Sequence, residues 1–217
     1  TGTQNTAVGA YALDASNGSY STAIGVNALS DNTSGGNNTA IGVQALYRNT
    51  TANNNTAIGF KALDQNTTGE YNVAVGAQSL DANTTADFNT AVGYNSLGVN
   101  TTGTHNTALG YNCLDANTTG QYNVGLGLGS LGSNAVGSQN TAVGTTALQS
   151  NTASNNTAVG YQALNQSTTG EYNVAVGSIA LKFNTTGSPN TAVGYSALHN
   201  NTSGTANVSI GYYSLQQ

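Results

Sequence analysis

Charge is the property that this sequence has least of: only 5% of its 217 residues are charged, and the formal net charge is −5. The basic side chains are Arg48, Lys61 and Lys182. They are too few to form the basic surface that a phosphate backbone requires, so nucleic acid is excluded as a partner. No apolar run approaches the roughly 18 residues of a transmembrane helix, so no membrane span is predicted.

Methionine and tryptophan are absent, and proline and cysteine occur once each. A single cysteine excludes an internal disulfide framework. Hydrophobic residues make up 37% of the chain. Many of them are alanine, which leaves too few large apolar side chains for an ordinary two-layer domain. A solenoid needs fewer, because each coil buries its large residues against the coils on either side.

The abundant feature is a tandem repeat. The phrase N-T-A-V-G recurs along the chain, and its glycine marks each repeat; neighbouring markers are 17 residues apart in ten intervals and 16 apart in two. Repeats built from helix pairs need more than about 30 residues, and Gly, Asn, Thr and Val in every repeat disfavour helix. The sequence therefore predicts an all-β fold, a parallel β-solenoid (β-roll) of thirteen coils that forms one repeat domain over residues 1–217. The markers are Gly9, Gly25, Gly42, Gly59, Gly76, Gly93, Gly110, Gly127, Gly144, Gly160, Gly177, Gly194 and Gly211.

Each repeat position has a restricted composition. Asn lies four residues before nearly every marker, Thr or Val three before, Ala two before, and Val, Ile or Leu one before, while Leu always lies four after. We name these the asparagine, threonine, alanine, valine and leucine columns. Alternation along T-A-V predicts that the threonine and valine columns point inward with the leucine column, and that the alanine column points outward. The predicted core comprises Val8, Leu13, Ile24, Leu29, Ile41, Leu46, Ile58, Leu63, Val75 and Leu80.

The stretch after the leucine is polar and usually reads N-T-T-G, as at residues 66–69. We interpret it as a turn in which the glycine is left-handed. The marker glycine is expected to allow a tight bend or a positive φ. The asparagine column is expected to form a stacked amide ladder in which each side chain bonds to its neighbour's.

Aromatic side chains fall into two columns. Exposed aromatic rows can stack on sugars or on partner proteins, but we favour the interpretation that they cover core edges or seal a seam between chains. The first aromatic column directly follows the marker and contains Phe60, Tyr94, Tyr111, Tyr161, Tyr195 and Tyr212. The second aromatic column lies five residues before the marker and contains Tyr20, Tyr71, Phe88, Tyr122 and Tyr172.

The residue types that carry chemistry form no recurrent constellation. His105 and His199 lie in different columns without metal-ligand spacing, and we interpret both as surface residues. Cys113 occupies a column of small residues, which indicates a buried substitute for alanine. No Ser-His-Asp order, phosphate-binding loop or paired carboxylate recurs, so the sequence predicts no enzyme, no catalytic site, no cofactor and no metal site.

Aspartates recur five residues after the marker, at Asp14, Asp64, Asp81 and Asp115. Rows of carboxylates can bind cations. These aspartates are absent from most repeats, so we interpret them as solvated turn residues.

The motif S/T-V/A-A-I/V-G, with Asn just before it and small residues after it, resembles the head repeats of YadA-type trimeric autotransporter adhesins. It is also similar to the N-T-A-V-G-Y-x-A-L repeats of phage tail-fibre proteins. The resemblance spans residues 5–217, although the period of 17 is longer than that of the adhesin heads. It implies a left-handed β-roll, three chains side by side, an extracellular location on a cell or virion surface, and attachment to a cell-surface glycan or host receptor.

The sequence thus favours a non-catalytic, rigid structural fibre or adhesin shaft. Its thin core favours a homo-oligomer, such as a trimer with the alanine and aromatic columns at chain–chain contacts. Open solenoid ends favour an end-to-end filament, in which this chain is a fragment or unit of a longer fibre. Two alternatives stay open: a glycan-binding solenoid that uses the tyrosine rows, and an ice-binding solenoid. Against ice binding, valine interrupts the threonine column at Val73 and Val124, and alternation predicts that the column points inward.

Overall fold

The computed structural model describes residues 2–216, and their regular structure consists of short β-strands, one in each repeat. The residues up to Asn106 form one compact unit and those from Thr107 form another. None of the described residues belongs to a helix that is long and apolar enough to cross a membrane. The first unit contains β1 (Thr6–Val8), β2 (Thr22–Ile24), β3 (Thr39–Ile41), β4 (Thr56–Ile58), β5 (Val73–Val75) and β6 (Thr90–Val92), and the second contains β7 (Thr107–Leu109), β8 (Val124–Leu126), β9 (Thr141–Val143), β10 (Thr157–Val159), β11 (Val174–Val176), β12 (Asn190–Val193) and β13 (Asn207–Ile210).

Consecutive strands within each unit pair in parallel, with equivalent residues of neighbouring repeats as partners. In the first unit Ala40 of β3 lies opposite Ala57 of β4. In the second unit Ala158 of β10 lies opposite Ala175 of β11. The predicted all-β parallel solenoid with a period of about 17 residues is therefore confirmed.

Backbone hydrogen bonds join each coil to the coils on both sides. The Thr39 N–H donates to the Asn55 carbonyl oxygen of the following coil over 2.8 Å. The Gly42 N–H donates to the Ile24 carbonyl oxygen of the preceding coil over 2.7 Å. Because this pattern recurs in the other repeats, each column of the sequence becomes a row of side chains within its unit.

The side of the strand that faces the core is the opposite of the one predicted. From Ala23 onward, the described alanines of the alanine column are fully buried, whereas Val8 is 57% exposed and Ile24 and Ile58 are 38% and 37% exposed. Ile41 and Val75 are half-buried. Alternation requires alanine to point away from its two neighbours, but it does not say which face is inside.

The interior is narrow, which explains why it takes the alanine methyl rather than the β-branched side chains. Gly125 occupies the alanine column in β8, and a Cβ added there would lie 2.6 Å from Cys113 Sγ and 3.3 Å from Leu114 Cδ1. The remaining space is filled by the leucine column. Leu29, Leu46, Leu63 and Leu80 are fully buried, and Leu13 is half-buried.

Residues with positive φ recur in each coil, and many of them are not glycine. The marker glycines have positive φ as predicted, for example 137° at Gly42. Leu46 and Gln44 also have φ of 50° and 59°. Such values cost about 1–3 kcal/mol for a residue with a side chain. The neighbouring coils hold them there, because the Leu46 N–H donates to the Ala62 carbonyl oxygen over 3.0 Å.

The expectation of a left-handed glycine in the N-T-T-G turn is wrong. Gly69 does not have a positive φ in the left-handed range. The position instead requires a small residue, because a Cβ on Gly69 would lie 2.4 Å from the carbonyl oxygen of Ala86 in the next coil. Ala52 and Ala86 occupy the same position in other coils and are buried.

The asparagine column forms a ladder in which the side-chain oxygen accepts a backbone proton. The Asn55 N–H donates to Asn38 Oδ1 over 2.9 Å, and Asn55 Nδ2 donates to the Gly69 carbonyl oxygen over 2.8 Å. The predicted bond from side chain to side chain occurs in the second unit, where Asn207 Nδ2 donates to Asn190 Oδ1 over 2.9 Å. Both the oxygen and the nitrogen of these buried side-chain amides therefore form hydrogen bonds, and a buried polar group requires such partners.

A second asparagine column, seven residues after the marker, forms a side-chain ladder that the sequence pattern did not predict. Asn49 Nδ2 donates to Asn32 Oδ1 over 2.8 Å, and Asn66 Nδ2 donates to Asn49 Oδ1 over 3.1 Å. These three amides are fully buried. The Asn of N-T-T-G is therefore an internal link between coils rather than a solvated turn residue.

Candidate interaction surface

The outer face of each unit's sheet carries two rows of side chains from the strands. The threonine column is mostly half-buried, and the valine column is half-buried or exposed. Because the alanine column lies in the interior, the expectation that it forms chain–chain contacts is wrong. Close approach of another chain at this face would instead involve the β-branched side chains.

The first aromatic column continues this apolar surface just beyond the marker glycine. Its rings are exposed, from 41% at Tyr195 to 74% at Tyr212. In three of the seven repeats without an aromatic residue, Val26, Val43 and Leu128 expose aliphatic side chains at the same position, and the other four repeats have Ala, Thr or Ser there. We call the valine column and the first aromatic column together the apolar strip of each unit. The other exposed rings of the column are Phe60, Tyr94, Tyr111 and Tyr161.

The second aromatic column contains a continuous stack of rings in the first unit. The centroids of Tyr71 and Phe88 are 5.1 Å apart with an angle of 5° between the planes. Those of Phe88 and His105 are 4.9 Å apart. The rings of adjacent coils therefore cover one another's faces and present mainly their edges to solvent. Tyr20, Tyr122 and Tyr172 of this column are also exposed.

The aspartate positions differ in their environment. Asp14 is exposed, but Asp64 is only 4% exposed, so its interpretation as a solvated turn residue is wrong. Burial raises the pKa of the Asp64 carboxyl, while a hydrogen bond from Gln65 and the charges of Lys61 and Arg48 lower it. Gln65, which no repeat pattern in the sequence singled out, donates from Nε2 to Asp64 Oδ2 over 2.6 Å.

Burial also raises the pKa of Asp81, and the nearby Asp64 charge adds to the effect. Asp115, the aspartate of this column in the second unit, has its pKa raised by burial as well.

Cys113 is buried, and its Sγ lies 3.0 Å from Ser130 Oγ in the next coil. Burial raises the pKa of this thiol to about 11, so the thiol stays protonated near neutral pH. His199 is half-buried, and its Nδ1 lies 2.9 Å from Asn200 Oδ1. Across residues 2–216, the His, Cys, Asp and Glu side chains form no group of three or more that could hold a metal ion.

A groove of about 530 Å³ lies in the second unit beside the last strand. Leucine, asparagine, tyrosine and glutamine line it, including Leu198, Asn201 and Tyr213. These residues offer neither a nucleophile with a base nor a pair of carboxylates. The apolar strip, in contrast, recurs from coil to coil within each unit.

No family model matches this chain, and neither a curated protein nor a solved structure shows significant similarity to it.

Proposed function

We propose that this chain is a non-catalytic structural segment of an extracellular fibre or adhesin shaft, and that copies of it associate through the apolar strip. The observation that carries the proposal is the exposure of that strip on a regular parallel sheet. Val8, Leu109 and Tyr161, for example, are 57%, 49% and 54% exposed. Contiguous apolar surface of this kind is typical of protein–protein contact sites.

The interior of each coil supports a mechanical role. Backbone bonds and two asparagine ladders link each coil to its neighbours, so pulling coils apart requires many hydrogen bonds to break together. The columns repeat these links with little variation. A structural element needs this uniformity, whereas a catalytic site needs a local departure from it.

The apolar strip fits a second copy of the same chain better than a charged partner. The valine and first aromatic columns carry no charged residue. An identical strip offers rows of the same spacing, so apolar side chains of two copies can interdigitate along their length. We expect the chain to form a trimer or a filament in which copies pack side by side.

Sedimentation velocity and electron microscopy of the chain test this proposal. The expected result is a trimer or larger assembly, which Tyr161→Lys and Val159→Lys convert towards monomer by placing a charge in the strip. Gln166→Lys is the matched control, because Gln166 is exposed in the same repeat but lies outside the strip. A stable wild-type monomer, or equal dissociation of the control, would contradict the proposal.

Ice binding is the second candidate, and one observation favours it. The threonine column faces outward, so the predicted inward orientation no longer counts against it. Thr22, Thr39 and Thr56 lie in register at the strand spacing of about 4.8 Å on the outer face. Thermal hysteresis that Thr56→Tyr abolishes, and that Thr51→Tyr in an exposed turn does not, would support this function. Absence of hysteresis in the wild-type chain would exclude it.

A further inference from the structure

Three tyrosine rings form a cluster on the surface of the second unit. The centroids of Tyr195 and Tyr212 are 5.4 Å apart, with an angle of 20° between the planes. The Tyr213 ring lies edge-on to both, with its centroid 5.3 Å from that of Tyr195 and 4.4 Å from that of Tyr212. All three side chains are exposed, and Tyr212 is the most exposed of them at 74%. Phenol rings of adjacent coils are therefore in contact at a place that solutes can reach.

The backbone fixes the stacked pair in this position. Tyr195 and Tyr212 occupy the same position of consecutive repeats. Each lies two residues after a partner in the parallel ladder, Val193 or Ile210. The Tyr213 N–H donates to the Tyr195 carbonyl oxygen over 2.9 Å. Because the pair is in register, both side chains leave the backbone in the same direction, so the ring carbons beside the two hydroxyls lie near each other.

A phenol held against a second phenol is arranged for oxidative coupling. Loss of one electron and one proton from a phenol leaves a radical that is shared between the oxygen and the ring carbons beside and opposite it. In free solution two such radicals must meet by diffusion. When the two rings are held in contact, the step becomes intramolecular, which favours it strongly over coupling between chains.

We propose that Tyr195 and Tyr212 form a dityrosine cross-link when the folded chain meets hydrogen peroxide and a peroxidase. Each phenol gives up one electron and its hydroxyl proton, and hydrogen peroxide takes up two electrons and two protons to become two water molecules. The two radicals form one carbon–carbon bond between the ring positions beside the hydroxyls. Each of those carbons then loses its hydrogen as a proton while each phenol oxygen regains a proton. The pair has then lost two hydrogen atoms in all.

The cross-link adds a covalent connection between consecutive coils of the second unit. It joins residues that are 17 positions apart in the sequence. A cross-link of this kind restricts the unfolded chain and thereby favours the folded one. It lies within one chain, so it neither requires nor excludes association through the apolar strip.

Treatment of the folded chain with a haem peroxidase and hydrogen peroxide, followed by trypsin digestion and mass spectrometry, tests the link. Because Lys182 is the last lysine or arginine, the segment 183–217 is released with Tyr195, Tyr212 and Tyr213 as its only tyrosines. The expected product is this segment lighter by two hydrogen atoms, with the blue fluorescence of dityrosine. Tyr195→Phe and Tyr212→Phe should each reduce its yield at least about tenfold, because the stacked pair then holds only one phenol.

Three further variants serve as controls. Tyr161→Phe should keep the full yield, because Tyr161 belongs to the same column but has Thr145 and Ser178 as its neighbours in the adjacent coils. Tyr213→Phe should keep the link as well, since the edge-on ring is not a member of the stacked pair. The link should also persist in Tyr161→Lys, the variant that is expected to dissociate copies of the chain.

Three results would overturn the proposal. The first is an unchanged mass of the segment 183–217 after oxidation of the wild-type chain, and the second is an undiminished yield in Tyr195→Phe or Tyr212→Phe. The third is a link that forms only between chains, seen as a dimer in a denaturing gel and lost in Tyr161→Lys. That result would place the oxidised tyrosines at a contact between copies, and would support the apolar strip while excluding the link within one chain.

Discussion

The Asn66 side chain connects its coil to the preceding one and also closes its own turn. Its Nδ2 donates to Asn49 Oδ1 over 3.1 Å and to the Gly69 carbonyl oxygen over 2.9 Å. Its Oδ1 accepts a bond of 2.8 Å from Asn83 Nδ2 in the following coil. One buried amide therefore takes part in links among three coils, and the repeat places such an amide in most coils.

Replacing this amide tests whether the ladder stabilises the fold. Asn66→Ala leaves buried acceptors on Asn49 and Gly69 with fewer donors, at a cost of about 1–3 kcal/mol for each group left unsatisfied. We expect a loss of at least about 2 kcal/mol in urea unfolding. Asn200→Ala, at an exposed position in the second unit, should change stability by less than about 0.5 kcal/mol. Equal effects of the two substitutions would count against an internal ladder.

The inward orientation of the alanine column predicts opposite tolerance at adjacent residues. Ala57 is fully buried and Ile58 is 37% exposed. Ala57→Leu forces extra methylenes into a filled interior and should cost about 1–3 kcal/mol or more. Ile58→Thr keeps a β-branched side chain on the outer face and should cost less than about 1 kcal/mol. Chemical denaturation of both variants decides the orientation, and a tolerated Ala57→Leu with a damaging Ile58→Thr would restore the original prediction.

Asp115 should make folding stability depend on pH. Burial raises the pKa of its carboxyl, so between the unfolded pKa of about 3.9 and the raised folded pKa the folded state binds more protons. This contribution is fully present below the unfolded pKa and is lost as pH rises through the folded pKa.

The difference in stability between Asp115→Asn and the wild-type chain should therefore shift in favour of Asp115→Asn as the pH rises from 3 to 7. Thermal unfolding between pH 3 and pH 8 measures the difference, with Asp14→Asn as the exposed control. A difference between Asp115→Asn and the wild-type chain that does not vary with pH would show that Asp115 does not contribute in this way.

The Cys113 thiol should be nearly inert in the folded chain. With a pKa of about 11, roughly 0.1% of the thiol is ionised at pH 8, and burial excludes the reagent. Alkylation by iodoacetamide should be at least about 100-fold slower in the folded chain than in denaturant. Folded and unfolded rates within tenfold of each other would mean that the thiol is accessible.

The period and columns of the sequence were sufficient to predict the parallel solenoid. A strict spacing between markers allows in-register stacking, and Gly42 shows that a marker needs positive φ. The columns did not reveal which strand face is inside, because alternation is symmetric with respect to the two faces. That choice depends on interior volume, which the close contacts at Gly125 show and a sequence pattern does not.

The candidate surface was predicted less completely. The aromatic columns were visible in the sequence, but their partners were not: Phe88 stacks on Tyr71, whereas Tyr161 continues the apolar strip. Burial of Asp64 also depends on the coil beneath it, so no local signal distinguished it from the exposed Asp14.

Spin labels on equivalent residues of adjacent coils test in-register stacking most directly. Thr51 and Thr68 are exposed and 17 residues apart, and each can be replaced by cysteine in a Cys113→Ser background. The predicted Cα separation is about 4.8 Å, so the continuous-wave spectrum of the doubly labelled chain should show strong spin–spin broadening. A spectrum equal to the sum of the two singly labelled chains would contradict the stacked solenoid.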